Sequence, residues 1–142
     1  LSTVAFHGPV FVYSPFEGSV LRELAEKLPD LSEEINGLRA RLFDLLPLVR
    51  AHLDHPAFNG SSSIKAVAPV LAPDVTYDVL DGVADGAAAS EALYRLATGQ
   101  LQSDESEASL RRGLLDYCKL DTFALARVHE ALEKLAAGET HQ

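Results

Sequence analysis

The sequence predicts an α/β chain with two or so short parallel strands, mostly helices, and one long C-terminal helix. Three observations carry that expectation. Residues 10–13, V-F-V-Y, are an apolar run bounded by Gly8-Pro9 and Ser14-Pro15, the pattern of a strand buried on both faces. Leu42-Phe43-Asp44-Leu45 reads as a second short strand. From about Glu105 to Ala137 apolar residues recur at steps of three and four with no proline, which predicts the longest helix of the chain.

Each remaining element follows from local signals. The opening L-S-T-V-A-F-H-G reads as the last turns of a helix stopped by Gly8 and Pro9. After the first strand, Ser14 suits an N-cap, Pro15 a first helical position, and Glu17 completes the S-x-x-E capping box. That helix runs to about Leu28 with Val20, Leu21, Leu24 and Leu28 on one face, and Pro29-Asp30 stop it. Leu31, Ile35, Leu38 and Leu42 repeat at helical spacing, weakened by Gly37. Pro47 starts a brief helix through about Leu53, and residues 55–62 are turn-rich and polar. A serine-capped helix follows from Ile64 to about Leu71. Residues 72–80 continue as loop with a short extended piece, and 81–86, D-G-V-A-D-G, as loop. A helix over the alanine-rich stretch from 87 ends at Gly99, and S-D-E-S-E at 103–107 places acid at the positive end of the last helix.

A length of 142 residues fits a single domain spanning 1–142. Apolar residues make up 47% and charged residues 23%, ordinary for a globular protein. No run approaches the roughly 20 apolar residues of a membrane span. The single cysteine, Cys118, excludes an internal disulfide and a cysteine zinc knuckle, and it reads as a small core residue. With no secretory pattern, the expected compartment is the cytoplasm. The net charge of −9 disfavours general attraction to nucleic acid, though not contact through metal ions. Leu1 in place of methionine suggests a segment whose N-terminal portion lies upstream. His52 and His55 flank a turn, with no further ligand at matching spacing.

The last helix carries one anomaly. Its apolar stripe reads Leu110, Leu114, Cys118, Leu125, Val128, Leu132 and Leu135, with a gap filled by Asp121. Burying a lone carboxylate costs several kcal/mol, so the residue calls for a cation, a set of donors or a metal. Tyr117 lies one turn earlier on the same side. A loop backbone or an arginine from another helix serves equally well as partner for Asp121, and the capping box by itself accounts for Glu17.

Taken together, V-F-V-Y-S-P-F-E, G-S-S-S-I-K-A-V-A-P-V-L and L-L-D-Y-C-K-L-D-T-F-A-L resemble an uncharacterised bacterial family grouped with the tyrosine-type DEDD exonucleases. The resemblance covers roughly residues 8 to 135. It implies the C-terminal portion of a ribonuclease H-like domain, in which acidic residues from three motifs hold two divalent metals. Phe16-Glu17 is similar to the second motif, and Tyr117 with Asp121 to the third. Glu17 and Asp121 are thereby implied as metal ligands, Tyr117 and Asp121 as catalytic residues, and Ser63 and Lys65 as substrate-facing. The first motif, D-x-E on a strand, is absent from these residues, and the resemblance puts it upstream of Leu1. The implied cofactor is Mg²⁺ or Mn²⁺ in a two-metal site that is incomplete in this segment. The implied partners are a DNA or RNA end and the remainder of the same polypeptide. The implied reaction is phosphodiester hydrolysis of the 3′–5′ exonuclease type. Two alternatives stand beside it: an inactive exonuclease-like domain kept as an interaction or scaffold module, and a helical interaction domain using Leu125, Val128, Leu132 and Leu135.

Overall fold

A computed structural model describes residues 7–77, 86–101 and 106–138. The chain forms two compact units, Leu1–Ser63 and Ile64–Gln142. The helix end expected before Gly8, the 81–86 loop apart from Gly86, and most of the acidic stretch before the last helix lie outside the described residues.

The first unit is a β-α-β arrangement. Strand β1, Val10–Val12, pairs in parallel with β2, Leu42–Asp44, in the register Val10↔Leu42, Phe11↔Phe43 and Val12↔Asp44. Between them run helix α1, Phe16–Lys27, a 3₁₀ turn over Pro29–Leu31, and helix α2, Ser32–Arg39. Helix α3, Leu46–His52, follows β2 and starts where Asp44 Oδ1 accepts the Leu46 N–H at 2.9 Å. Alternation puts Val12, Leu42 and Asp44 on one sheet face, and Phe11 with Phe43 on the other, ring edge to ring face at 5.9 Å. A Cβ at Gly18 of α1 would stand 3.6 Å from Leu42 Cδ1, an ordinary contact distance that places this turn of the helix over the sheet.

Two expectations shift in detail. Helix α1 begins at Phe16, with Pro15 at the cap position. Proline has no side-chain acceptor, so the capping moves one residue back: Ser14 Oγ takes the Phe16 N–H at 3.2 Å. The second helix continues through Gly37 but ends at Arg39, because Leu42 pairs in the sheet instead of extending the helical stripe. His52 closes α3, and His55 Nδ1 caps a 3₁₀ turn over Pro56–Phe58 by accepting the Ala57 N–H.

The second unit is helical. Helix α4, Ile64–Leu71, keeps its expected bounds and contains Pro69. Helix α5 spans Gly86–Thr98 and ends at Gly99, whose φ of +68° lets the Gln100 N–H reach back to the Arg95 carbonyl. Helix α6, Glu107–Ala136, is capped by Ser106 Oγ on the Ser109 N–H, and both α4 and α5 pack against it. Val67 and Ala68 of α4 and Ala124 and Val128 of α6 are wholly buried. Among the described residues, no helix is long and apolar enough to cross a membrane.

Candidate functional site

The packed face of α6 differs in phase from its leucine stripe. Leu110, Ala124, Val128 and Ala131 are buried, with Leu114, Tyr117 and Asp121 half-buried between them. Those seven positions step by 4, 3, 4, 3, 4 and 3 residues, an unbroken seam. The seam passes through Tyr117 and leaves Cys118 exposed, which corrects the expectation that Cys118 is a core residue. The reason is size. Ala124 and Ala131 admit close approach where a leucine would hold a neighbouring helix away, so the alanines lie inward and Leu135 stays outside.

Asp121 therefore sits within the seam. Its Oδ1 is buried and has no hydrogen-bond partner among the described residues. Among the described residues, neither a guanidinium nor a loop amide, the ordinary partners of an inward acid, bonds to that oxygen. A carboxylate oxygen left in that state costs a penalty of about 1–3 kcal/mol or more. One turn earlier, Tyr117 packs on Ala92 and Leu110. Its hydroxyl reaches the first residue of α5: a Cβ on Gly86 would stand 3.7 Å from Tyr117 Oη.

Lys65, near the start of α4, points its ammonium at the same tyrosine. Lys65 Nζ lies 5.3 Å from the Tyr117 ring centroid and 5.5 Å from that of Tyr77. Both distances fall within cation–π range, and two aromatic faces share one charge. Tyr77 is the residue that sequence reasoning missed, because a tyrosine in a loop after Pro73-Asp74 carries no spacing signal. Nearby on α6, Arg127 grips Asp74 through Nε and Nη2 and also pairs with Glu130. The Asp74 hydrogen bond chiefly holds the Arg127 pKa above its ordinary value.

Glu17 and Ser63 belong to the first unit. Glu17 is exposed on the first turn of α1, and its Oε2 accepts the Ser14 hydroxyl at 3.3 Å. The capping box is thus closed side chain to side chain, and the carboxylate takes a hydroxyl where a backbone N–H was expected. Ser63 is exposed, its Oγ accepting from the Ser61 hydroxyl at 3.2 Å. Among the described residues, no group of three or more His, Cys, Asp or Glu side chains gathers as a metal site. Within its own unit, Asp121 offers one unsatisfied carboxylate oxygen one turn along α6 from Tyr117.

The profile of a domain of unknown function, DUF2779, matches residues 1–63. The match ends at the residue where the first compact unit ends. It includes Glu17 and Ser63 and leaves Lys65, Tyr117 and Asp121 outside. No curated protein and no solved structure matches the chain.

Proposed function

We propose that this chain supplies part of a metal-dependent phosphodiesterase of the 3′–5′ exonuclease type, acting on DNA or RNA ends. The observation that carries the reading is the buried, unpartnered Oδ1 of Asp121 in an otherwise apolar seam, with Tyr117 one turn away. An inward carboxylate without amide or guanidinium is explained by a cation. Oxygen donors of this kind suit Mg²⁺ or Mn²⁺. Asp121 would hold the metal directly, and the sequence resemblance names Glu17, whose exposed carboxylate is engaged by a single hydroxyl, as a further candidate ligand. Bound divalent metal supplies a nucleophilic water at neutral pH and offsets charge on the leaving oxygen. The phenol of Tyr117 would orient that water by hydrogen bonding. Lys65, held over the Tyr117 ring, adds positive charge where a phosphate backbone would approach.

The test uses the full-length polypeptide on single-stranded oligonucleotides with Mn²⁺. Digestion is expected, with loss of about 10²-fold or more in Asp121→Asn. Mn²⁺ affinity, measured by electron paramagnetic resonance, is expected to fall in the same variant. An unchanged affinity removes the cation explanation.

A second reading, an inactive exonuclease-like module that serves interaction, is favoured by the lack of a three-ligand cluster among the described residues and by the net charge of −9. It predicts no digestion by the full-length polypeptide and no Mn²⁺ dependence.

A further inference from the structure

A cavity of about 340 Å³ lies in the first unit, where α1 crosses the sheet face of Val12, Leu42 and Asp44. Ser14, Gly18, Ser19 and Arg22 line it from α1 and its approach, and Arg39 from the end of α2. Its volume is near the lower end of small-ligand pockets, roughly 300–1,000 Å³. Its charges are unusual for this chain. With 21 acidic residues against 12 basic ones, guanidiniums have abundant carboxylates to pair with. Arg22 makes no hydrogen bond or ion pair among the described residues, and Arg39 bonds only to the Asn36 side-chain oxygen at 3.2 Å. The single acid in the lining, Asp44, is committed to the Leu46 N–H at the head of α3. The hydroxyl of Ser14 is turned to Glu17 and that of Ser19 to the Pro15 carbonyl, so the arginines are the strong donors. The first turn of α1 adds its positive end through Gly18.

We propose that this cavity binds the phosphate of a small phosphate monoester. Arg22 and Arg39 grip it as charge-assisted donors, and the volume beyond them receives the organic group. Guanidinium forks match phosphate geometry, and the two positive charges of Arg22 and Arg39 outweigh the single negative charge of Asp44. The carboxyl ends of parallel strands, just past Val12 and Asp44, are where α/β sheets take ligands. The inference is independent of hydrolysis at Asp121, because the two rest on different residues.

The experiment is a titration of the isotope-labelled chain followed by amide ¹H–¹⁵N spectra. The probes are inorganic phosphate, a nucleoside 5′-monophosphate, and a short oligonucleotide with and without a 5′-phosphate. Saturable shifts at Gly18, Ser19, Leu42 and Asp44 with inorganic phosphate are expected. Tighter binding of the nucleotide assigns a free small ligand. Tighter binding of the 5′-phosphorylated strand than of its hydroxyl counterpart assigns a strand end, and either result supports the site. Arg22→Gln with Arg39→Gln is expected to weaken binding about 10- to 100-fold. Arg111→Gln, which removes one charge from the α6 surface, is expected to leave it unchanged. Both arginines are exposed, so the variants should fold, and the wild-type titration needs no variant at all. The proposal is overturned by the absence of saturable shifts with any probe. Equal weakening in the Arg111 variant overturns it too, since that would mean diffuse attraction.

Discussion

The α1 face of the first unit and the α4–α6 contact of the second handle their apolar residues in opposite ways. In the first, the α1 positions Val20, Leu24 and Leu28 are 37%, 39% and 43% exposed, Phe16 and Phe43 more so, and Ala25 alone of that helix is buried. In the second, α4 and α6 meet through Val67, Ala68, Ala124 and Val128, none of which retains exposed surface. The two candidate acids divide along the same line. Glu17 is exposed and has a local partner, so capping accounts for it. Asp121 is inside a seam, and its buried Oδ1 has no hydrogen-bond partner among the described residues. The lesson is that an acid's position in a motif carries less information than whether its oxygens are satisfied. By that measure Asp121 holds the stronger claim to function.

Three experiments probe this contrast, in order of size. Val128→Ala should destabilise the chain by about 1.5–3 kcal/mol in urea unfolding, whereas Leu24→Ala should cost less than about 1 kcal/mol. Equal losses would mean that the α1 face is covered in solution. Next, Asp121→Leu in the presence of a chelator should raise stability by about 1–2 kcal/mol, since it removes an unsatisfied acceptor and fills the space with carbon. Glu17→Gln should stay within about 0.5 kcal/mol. A destabilising Asp121→Leu would show that the carboxylate finds a partner in solution.

The smallest effect concerns Tyr13, just past β1, whose hydroxyl donates to the Ser62 carbonyl at 2.9 Å. Burial, opposed by Arg50 and reinforced by Asp44, pushes its pKa from 10.0 up to about 12. The folded state therefore keeps a proton that the unfolded state has already released. Stability from this group is full below pH 10 and is lost as pH rises from 10 toward 12. Denaturation midpoints measured across that window should fall less steeply for Tyr13→Phe than for the parent. An identical slope would mean that the hydroxyl is solvated.

Much of the fold was legible because punctuation is local. The Gly-Pro and Ser-Pro pairs bracketed β1, Ile64 and Leu71 bounded α4 as expected, and Gly99 ended α5. The phase of α6 was not legible, because leucines dominate a hydrophobic count while alanines decide how near two helices come. The inward placement of Asp121 was nevertheless read correctly, since it falls on both stripes. That its Oδ1 has no partner among the described residues belongs to tertiary structure and has no sequence signature. The same holds for the aromatic pair around Lys65: Tyr77 and Tyr117 are 40 residues apart in number and meet only through the docking of α4 on α6.

That pairing gives the chain an internal gauge. Of its four lysines, Lys27, Lys119 and Lys134 stand in water, and Lys65 is half-buried with its amine shielded by two rings. An acylating reagent meets the three open amines first and the sheltered one last. The order in which those amides appear in a mass spectrum then reads how firmly α4 is seated on α6, without a ligand or an activity assay.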